Sequence, residues 1–230
     1  MFLWLNMGEL SRGVETGRQY GLRSRWGNPW RFESSPRHIF LLMQIEFEAT
    51  FLDIDKDVVR AKLKSIGAKL IHPEILMKRD IFDPPKLIAG GWLRVRKEFD
   101  CTTMSLKVVD GNKIENQKEI ELRIDDYESG VEFLKTIGAV HKSYQETKRE
   151  LWHLRDVKVT IDTWPGLRPF VEVESDNEAS VRSVSAELGL DYLKAYFGSV
   201  DGVYKIELGI EPEVINALST ITFENPPRPA

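Results

Sequence analysis

The sequence predicts an α+β fold: an eight-stranded antiparallel β-barrel with helices packed on its outside. Three observations lead there. The stretch Ile45-Glu46-Phe47-Glu48-Ala49-Thr50-Phe51-Leu52 alternates apolar and polar residues, the period of a half-buried strand. The same separation of charge from grease recurs at Arg94 with Arg96, Lys107, Glu119 with Glu121, Asp162, and Glu172 with Glu174. The chain also repeats itself. Ile45–Glu48 followed by a helix ending Ser65-Ile66-Gly67-Ala68 has a counterpart in Glu119–Leu122 followed by a helix ending Thr136-Ile137-Gly138-Ala139, about 70 residues on. Three strands follow each helix, so the chain is two βαβββ halves, and closing eight strands into a barrel removes the open edges.

The elements follow in order. The first strand spans about 44–52. Asp53 or Asp55 caps a helix from Asp57 to Ile66, with Val58, Val59, Leu63 and Ile66 on one stripe, and Gly67 ends it. A long strand over 69–83 stops at Asp83-Pro84-Pro85. Strands at 92–99 and 102–109 are followed by the turn Asp110-Gly111-Asn112, a hairpin signal. The strand 118–124 leads to a helix from Tyr127 to Ile137, closed by Gly138. Strands at 140–154, 157–163 and 169–175 complete the set, and 177–217 reads as short helices.

An ordinary small barrel fills its interior with side chains. Here the alternation fills it with carboxylates, guanidiniums and ammoniums. Burying them is costly unless they pair with one another or hold a charged ligand. The apolar faces then point outward, beneath the helices. The acids come as Glu46/Glu48, Glu119/Glu121 and Glu172/Glu174, with Asp162; such i, i+2 pairs lie about 7 Å apart. Hard oxygen ligands without His or Cys point to Mg²⁺ or Mn²⁺ rather than zinc. Arg94, Arg96 and Lys107, with Lys148 or Arg149, are donors suited to phosphate oxygens. Carboxylate-held metals facing such cations suit a polyphosphate.

Composition excludes several alternatives. A formal charge of −4 gives no reason to expect nucleic acid or an anionic membrane as partner. Cys101 is the only cysteine, which fits a reducing, cytoplasmic compartment. No apolar run reaches the roughly 18 residues that span a bilayer. The four histidines have no ligand spacing. Residues 1–42 stand apart, with six arginines, no lysine, three of the six tryptophans and no sustained period. The segment lacks a signal-peptide layout. It is expected to be a disordered extension or a stretch upstream of the true start, with Met43 placed as an initiator; an organelle transit peptide is the alternative. The barrel domain is expected over 43–217, with a tail at 218–230.

Glu46-x-Glu48, Leu93-Arg94-Val95-Arg96, Ser105-Leu106-Lys107, Glu119-Ile120-Glu121, Lys148-Arg149 and Asp162 through Glu174 together resemble the CYTH domain, over about 44–208. These are the triphosphate tunnel metalloenzymes, among them class IV adenylyl cyclases, thiamine triphosphatases and inorganic triphosphatases. The resemblance implies a tunnel in which Arg94, Arg96, Lys107 and Arg149 bind the triphosphate, with Lys148 as the alternative inward base. It implies metal ligation by Glu46, Glu48 and Glu172 or Glu174, with Asp162 beside them, and a mid-chain acidic pair in Glu119 and Glu121. Glu46, Glu48 and Lys107 would stand at the reacting centre. The implied function is hydrolysis of a triphosphate such as ATP, thiamine triphosphate or tripolyphosphate by a monomer or homodimer. Cyclisation of ATP and nucleotide or polyphosphate binding without turnover are the alternatives. Two departures stand out: Thr50 occupies the place of a lysine in the family's Glu-x-Glu-x-Lys strand, and Thr147-Lys148-Arg149 replaces Lys-x-Arg. Asp191–Ser199 resembles the helical segment that closes the tunnel, and Trp164 is placed at a tunnel mouth.

Because residues 1–42 carry no core pattern, deleting them is expected to leave the melting temperature and activity unchanged. A clear fall in melting temperature would show that the segment packs on the barrel.

Overall fold

The computed structural model describes residues 43–229; the extension expected over residues 1–42 lies outside the described residues. The first half comprises β1 (Gln44–Ile45), β2 (Phe47–Phe51), α1 (Lys56–Ser65), β3 (Lys69–Asp83), β4 (Gly91–Lys97) and β5 (Thr102–Val109). The second comprises β6 (Gln117–Ile124), α2 (Tyr127–Thr136), β7 (Val140–Leu154), β8 (Val157–Thr163) and β9 (Phe170–Ser175). Then come α3 (Glu178–Leu188), α4 (Val200–Leu208), α5 (Pro212–Asn216) and β10 (Thr220–Ile221), so the expected tail contributes a strand.

The strands follow the path β1-β6-β5-β4-β3-β7-β8-β9-β2, every neighbouring pair antiparallel. Nine strands lie on this path rather than eight, because the first expected strand is broken at Glu46. On one side of the break β1 pairs with β6, and on the other β2 pairs with β9. The Glu46 N–H donates to the Gln117 carbonyl at 3.0 Å. One residue thus passes the chain from one neighbour to the other and joins the two ends of the sheet. The barrel is nearly closed, and the two βαβββ halves meet along β3–β7, where the long strands pair, and along β5–β6, β1–β6 and β2–β9.

Capping chemistry sets the helix starts. The Asp55 carboxylate accepts from the N–H groups of Asp57 and Val58 at 2.8 and 3.0 Å, and Asp126 accepts from Ser129 N–H at 2.7 Å. Gly67 and Gly138, at equivalent places in the two halves, have φ of +80° and +93°, a conformation that side chains resist. In α1, Val59 and Leu63 are buried one turn apart, while Val58, expected on the same stripe, is exposed.

The apolar faces do point outward. Val157, Val159 and Ile161 of β8 and Val171 and Val173 of β9 pack under Val59 and Leu63 of α1 and Val181, Val184 and Leu188 of α3. A second cluster joins Phe82 and Val95 to Tyr127 and Leu134 of α2. A third gathers Trp164, Leu167 and Phe170 with Val203 and Tyr204 of α4, Ile215 of α5 and Ile221 of β10. The C-terminal segment is therefore part of the barrel's packing.

Leu63 is fully buried beneath the barrel wall. Leu63→Ala is expected to cost about 3 kcal/mol in denaturant unfolding with an unchanged m-value. A loss below about 1 kcal/mol would show that α1 is not needed to cover the sheet.

Candidate active site

The opposite parity of the same strands faces a cavity of about 800 Å³ inside the barrel. Glu46 and Glu48 line it, as do Arg94 and Arg96 of β4, Lys107 of β5, Glu119 and Glu121 of β6, Arg149 of β7, and Glu172 and Glu174 of β9. Counting every lining side chain among the described residues, eight bases face nine acids. Such a lining is close to neutral, so it suits an anion that enters together with cations.

The charges are arranged in pairs. Lys107 Nζ lies 2.8 Å from Glu46, 3.8 Å from Glu119 and 4.0 Å from Glu48. Arg94 donates to Glu119 at 2.8 Å, with Glu121 at 3.7 Å. Arg96 holds Glu98 at 2.5 Å and faces Glu121 at 3.6 Å. Arg149 donates through Nε and Nη2 to the two oxygens of Asp162, at 2.6 and 2.8 Å, and through Nη2 to Glu172 at 2.5 Å.

Proton affinities follow from this crowding. Burial, opposed by Lys107 and aided by Glu119, Glu174 and Glu48, pushes the Glu46 carboxyl up to about 7. Burial and the adjacent Glu48 raise Glu172 well above the carboxylate range. Glu119 is buried too, but Arg94 and Lys107 more than offset that and hold it low. Lys107, despite its burial, is held charged by Glu48, Glu46 and Glu119. Glu46 and Glu172 therefore hold a proton more tightly than a free carboxyl, while Glu119, and Glu174 beside Lys158, hold theirs less tightly.

The structure settles which base of β7 faces inward. Arg149 lines the cavity; Lys148 points away, its Nζ 4.8 Å from the centre of the Phe223 ring. Arg149 is opposite Asp162 in the β7–β8 register, and parity turns its neighbour outward. Asp162, expected beside the metal, is wholly buried and outside the lining. Its oxygens are taken by Arg149 and by the Thr160 hydroxyl at 2.7 Å, so it fixes Arg149. Thr50 is buried and also outside the lining, its backbone paired with Tyr196 in both directions at 3.0 and 2.8 Å. The C-terminal segment does reach the cavity, through Gly198, Ser199, Val200 and Asp201. Trp164, placed at a mouth, lines it as well.

Residues not singled out from the sequence also line the cavity, notably Arg79, Glu98, Arg123, Lys158 and His72. Arg79 sits between Met77 and Ile81 on its strand face, so no run of like charges marks it. Glu98 and His72 lie where alternation is interrupted, the one beyond the end of β4 and the other between two register shifts of β3.

Comparison with known proteins bears on this arrangement. A family model described as the CYTH domain matches residues 44–202. The chain belongs to the CYTH domain family. Members of this family act on triphosphates as triphosphatases or adenylyl cyclases and use divalent metals. A Methanocaldococcus jannaschii protein named "Putative adenylate cyclase MJ0240" is 28% identical over 167 residues, covering 70% of this chain and 94% of that one. A solved structure from Vibrio parahaemolyticus superposes with a TM-score of 0.60 at 15% identity, over 70% of this chain and 98% of that one. One from Pyrococcus horikoshii gives 0.56 at 20% identity, over 66% and 94%. At these identities the two structures support the fold alone. No helix among the described residues is long and apolar enough to cross a membrane.

The donor set of this CYTH barrel fits a hard divalent cation. Glu46 Oε2, although close to Lys107, is not aligned for a hydrogen bond and is buried without a donor. Besides Lys107, the charges that act on it are the carboxylates of Glu119, Glu174 and Glu48, the ligand type such cations prefer. Among the described residues no three His, Cys, Asp or Glu side chains are drawn together on one point, because each acid leans toward a cation instead. Arg94 Nε is the matching orphan, a buried donor without an acceptor.

Glu46 has a pH consequence with a definite sign. Its folded proton affinity, about 7, lies above the ordinary carboxylate value of 4.5. The folded state therefore holds this proton more tightly than the unfolded state, and the benefit fades as pH rises from 4.5 through 7. Glu46→Gln is expected to raise the metal-free melting temperature at pH 8 and change it little at pH 4.5. A fall at pH 8 would show that the ionised carboxylate stabilises the barrel.

Proposed function

We propose that this CYTH protein binds a triphosphate inside the barrel and hydrolyses its terminal phosphate with the help of Mg²⁺ or Mn²⁺. The observation that carries the reading is the lining itself: buried, crowded carboxylates interleaved with guanidiniums and an ammonium that pair with them. Glu46, Glu48, Glu172 and Glu174 would hold the cation, which supplies charge neutralisation at the phosphate oxygens. Arg94, Arg96, Lys107 and Arg149 take the remaining oxygens. Their own carboxylates hold them extended before substrate arrives, so little reorganisation is needed in a reaction that depends on positioning and electrostatics.

Class IV adenylyl cyclase activity is the second reading, favoured by the name of the archaeal relative. The cavity wall also offers an aromatic surface for a base, His72 stacked on Phe99 with ring centres 4.1 Å apart. Binding without turnover is the third. A cytoplasmic location accords with the lone cysteine.

Incubation with ATP, thiamine triphosphate and tripolyphosphate, each with Mg²⁺ or Mn²⁺ and with products separated, distinguishes the three. Release of phosphate supports hydrolysis, cyclic AMP the second reading, and calorimetric binding without product the third. Glu48→Gln is expected to abolish turnover while the protein stays folded, and excess chelator to do the same to the parent. Arg94→Ala is expected to weaken tripolyphosphate binding by roughly 2–5 kcal/mol. Activity surviving both Glu48→Gln and chelator would overturn the metal reading.

A further inference from the structure

Arg79 of β3 is 8% exposed and lines the cavity, yet no carboxylate among the described residues lies within ion-pair distance of it. Its single hydrogen bond runs from Nη2 to the Thr147 hydroxyl at 3.3 Å, long and neutral. Its guanidinium stacks on the Trp164 ring, 4.4 Å from the centre, which fixes its plane without neutralising it. The charges acting on it most strongly are Arg94, Arg96 and Arg149, with Asp162 opposing. Those three arginines each have an acid partner. A buried guanidinium among other cations is costly to keep unless an anion completes it.

We infer that Arg79 and Thr147, braced by Trp164, form a further phosphate subsite of the tunnel, which seats a phosphate group of the bound triphosphate. This rests on the triphosphate reading above and adds a residue and a position to it. The free N–H groups of Arg79 meet no acceptor among the described residues, and a guanidinium offers a fork that matches two oxygens of one phosphate. The subsite lies where the barrel meets its C-terminal cover. Arg79 acts electrostatically on Tyr204 of α4, and Tyr204 donates to the Pro165 carbonyl, next to Trp164, at 2.7 Å. A phosphate there is held at the covered end of the tunnel.

The test uses the full chain with tripolyphosphate as probe, its affinity read by calorimetry and the melting temperature read without ligand. Arg79→Met is expected to raise the ligand-free melting temperature, because an uncompensated charge is removed, and to weaken tripolyphosphate binding at least tenfold. A structural role for Arg79 gives the opposite pattern: a lower melting temperature with affinity within twofold of the parent, which overturns the subsite. Should Arg79→Met fail to fold, Arg79→Lys keeps the charge and loses the fork; an affinity drop of several-fold supports the subsite, and unchanged affinity overturns it. Parent protein that fails to bind tripolyphosphate overturns the triphosphate reading and the subsite with it. A parent that binds beside an unaffected variant overturns the subsite alone.

Discussion

A barrel wall is one residue thick, and its side chains alternate strictly between two solvents. That constraint governs the rest of the molecule. Once Glu46, Glu48, Lys107, Arg149 and their partners face inward, Val157, Val159, Ile161, Val171 and Val173 must face outward and be covered. The helices are therefore not decoration on the barrel. They bury the apolar surface that an ordinary protein buries in its middle, and the interior is left free to hold charge. The interior is held together by ion pairs such as Arg149 with Asp162 and Glu172, whose geometry compensates part of the cost of desolvation.

That compensation is deliberately incomplete in places. Arg149 and Arg94 are held by carboxylates, whereas Glu46 Oε2 and Arg94 Nε make no hydrogen bond and Arg79 has no carboxylate partner among the described residues. Completing every pair would leave a stable but inert plug. The unfinished contacts are positions where a ligand brings what the protein omits, and their cost is borne by the packed exterior.

Much of this was legible in the sequence because period two is a simple signal. The strands at 69–83, 102–109, 140–154 and 157–163 begin and end where the alternation does. What escaped has physical reasons. The break at Glu46 is a change of partner rather than of conformation, so nothing in the alternation marks it. Two adjacent bases at Lys148-Arg149 differ only in parity, which the cross-strand register with Asp162 decides. Asp162 and Thr50 share the parity of the lining, but Arg149 and the chain around Tyr196 intervene. Arg79 was invisible because its strand neighbours on the same face are apolar. Parity tells which way a side chain leaves the sheet and says nothing of what already occupies the space.

The strands of the barrel are unequal in length, and this has a consequence beyond the site. β7 has 15 residues against seven in β8, so its Val140–Thr147 portion runs past its neighbour and offers unpaired backbone groups on that side. The chain returns to both exposed margins. Tyr196 pairs with Thr50 at the end of β2, and Ser219 through Ile221 runs parallel to β7 at Tyr144 and Gln145. Free strand edges recruit strands from other molecules, and a sheet with two of them is prone to association and precipitation. The last turns of the chain thus act as selvedges, stitched along the open margins of the fabric. A protein shortened before Ser219 would leave the Tyr144 margin of β7 open to strands of other molecules.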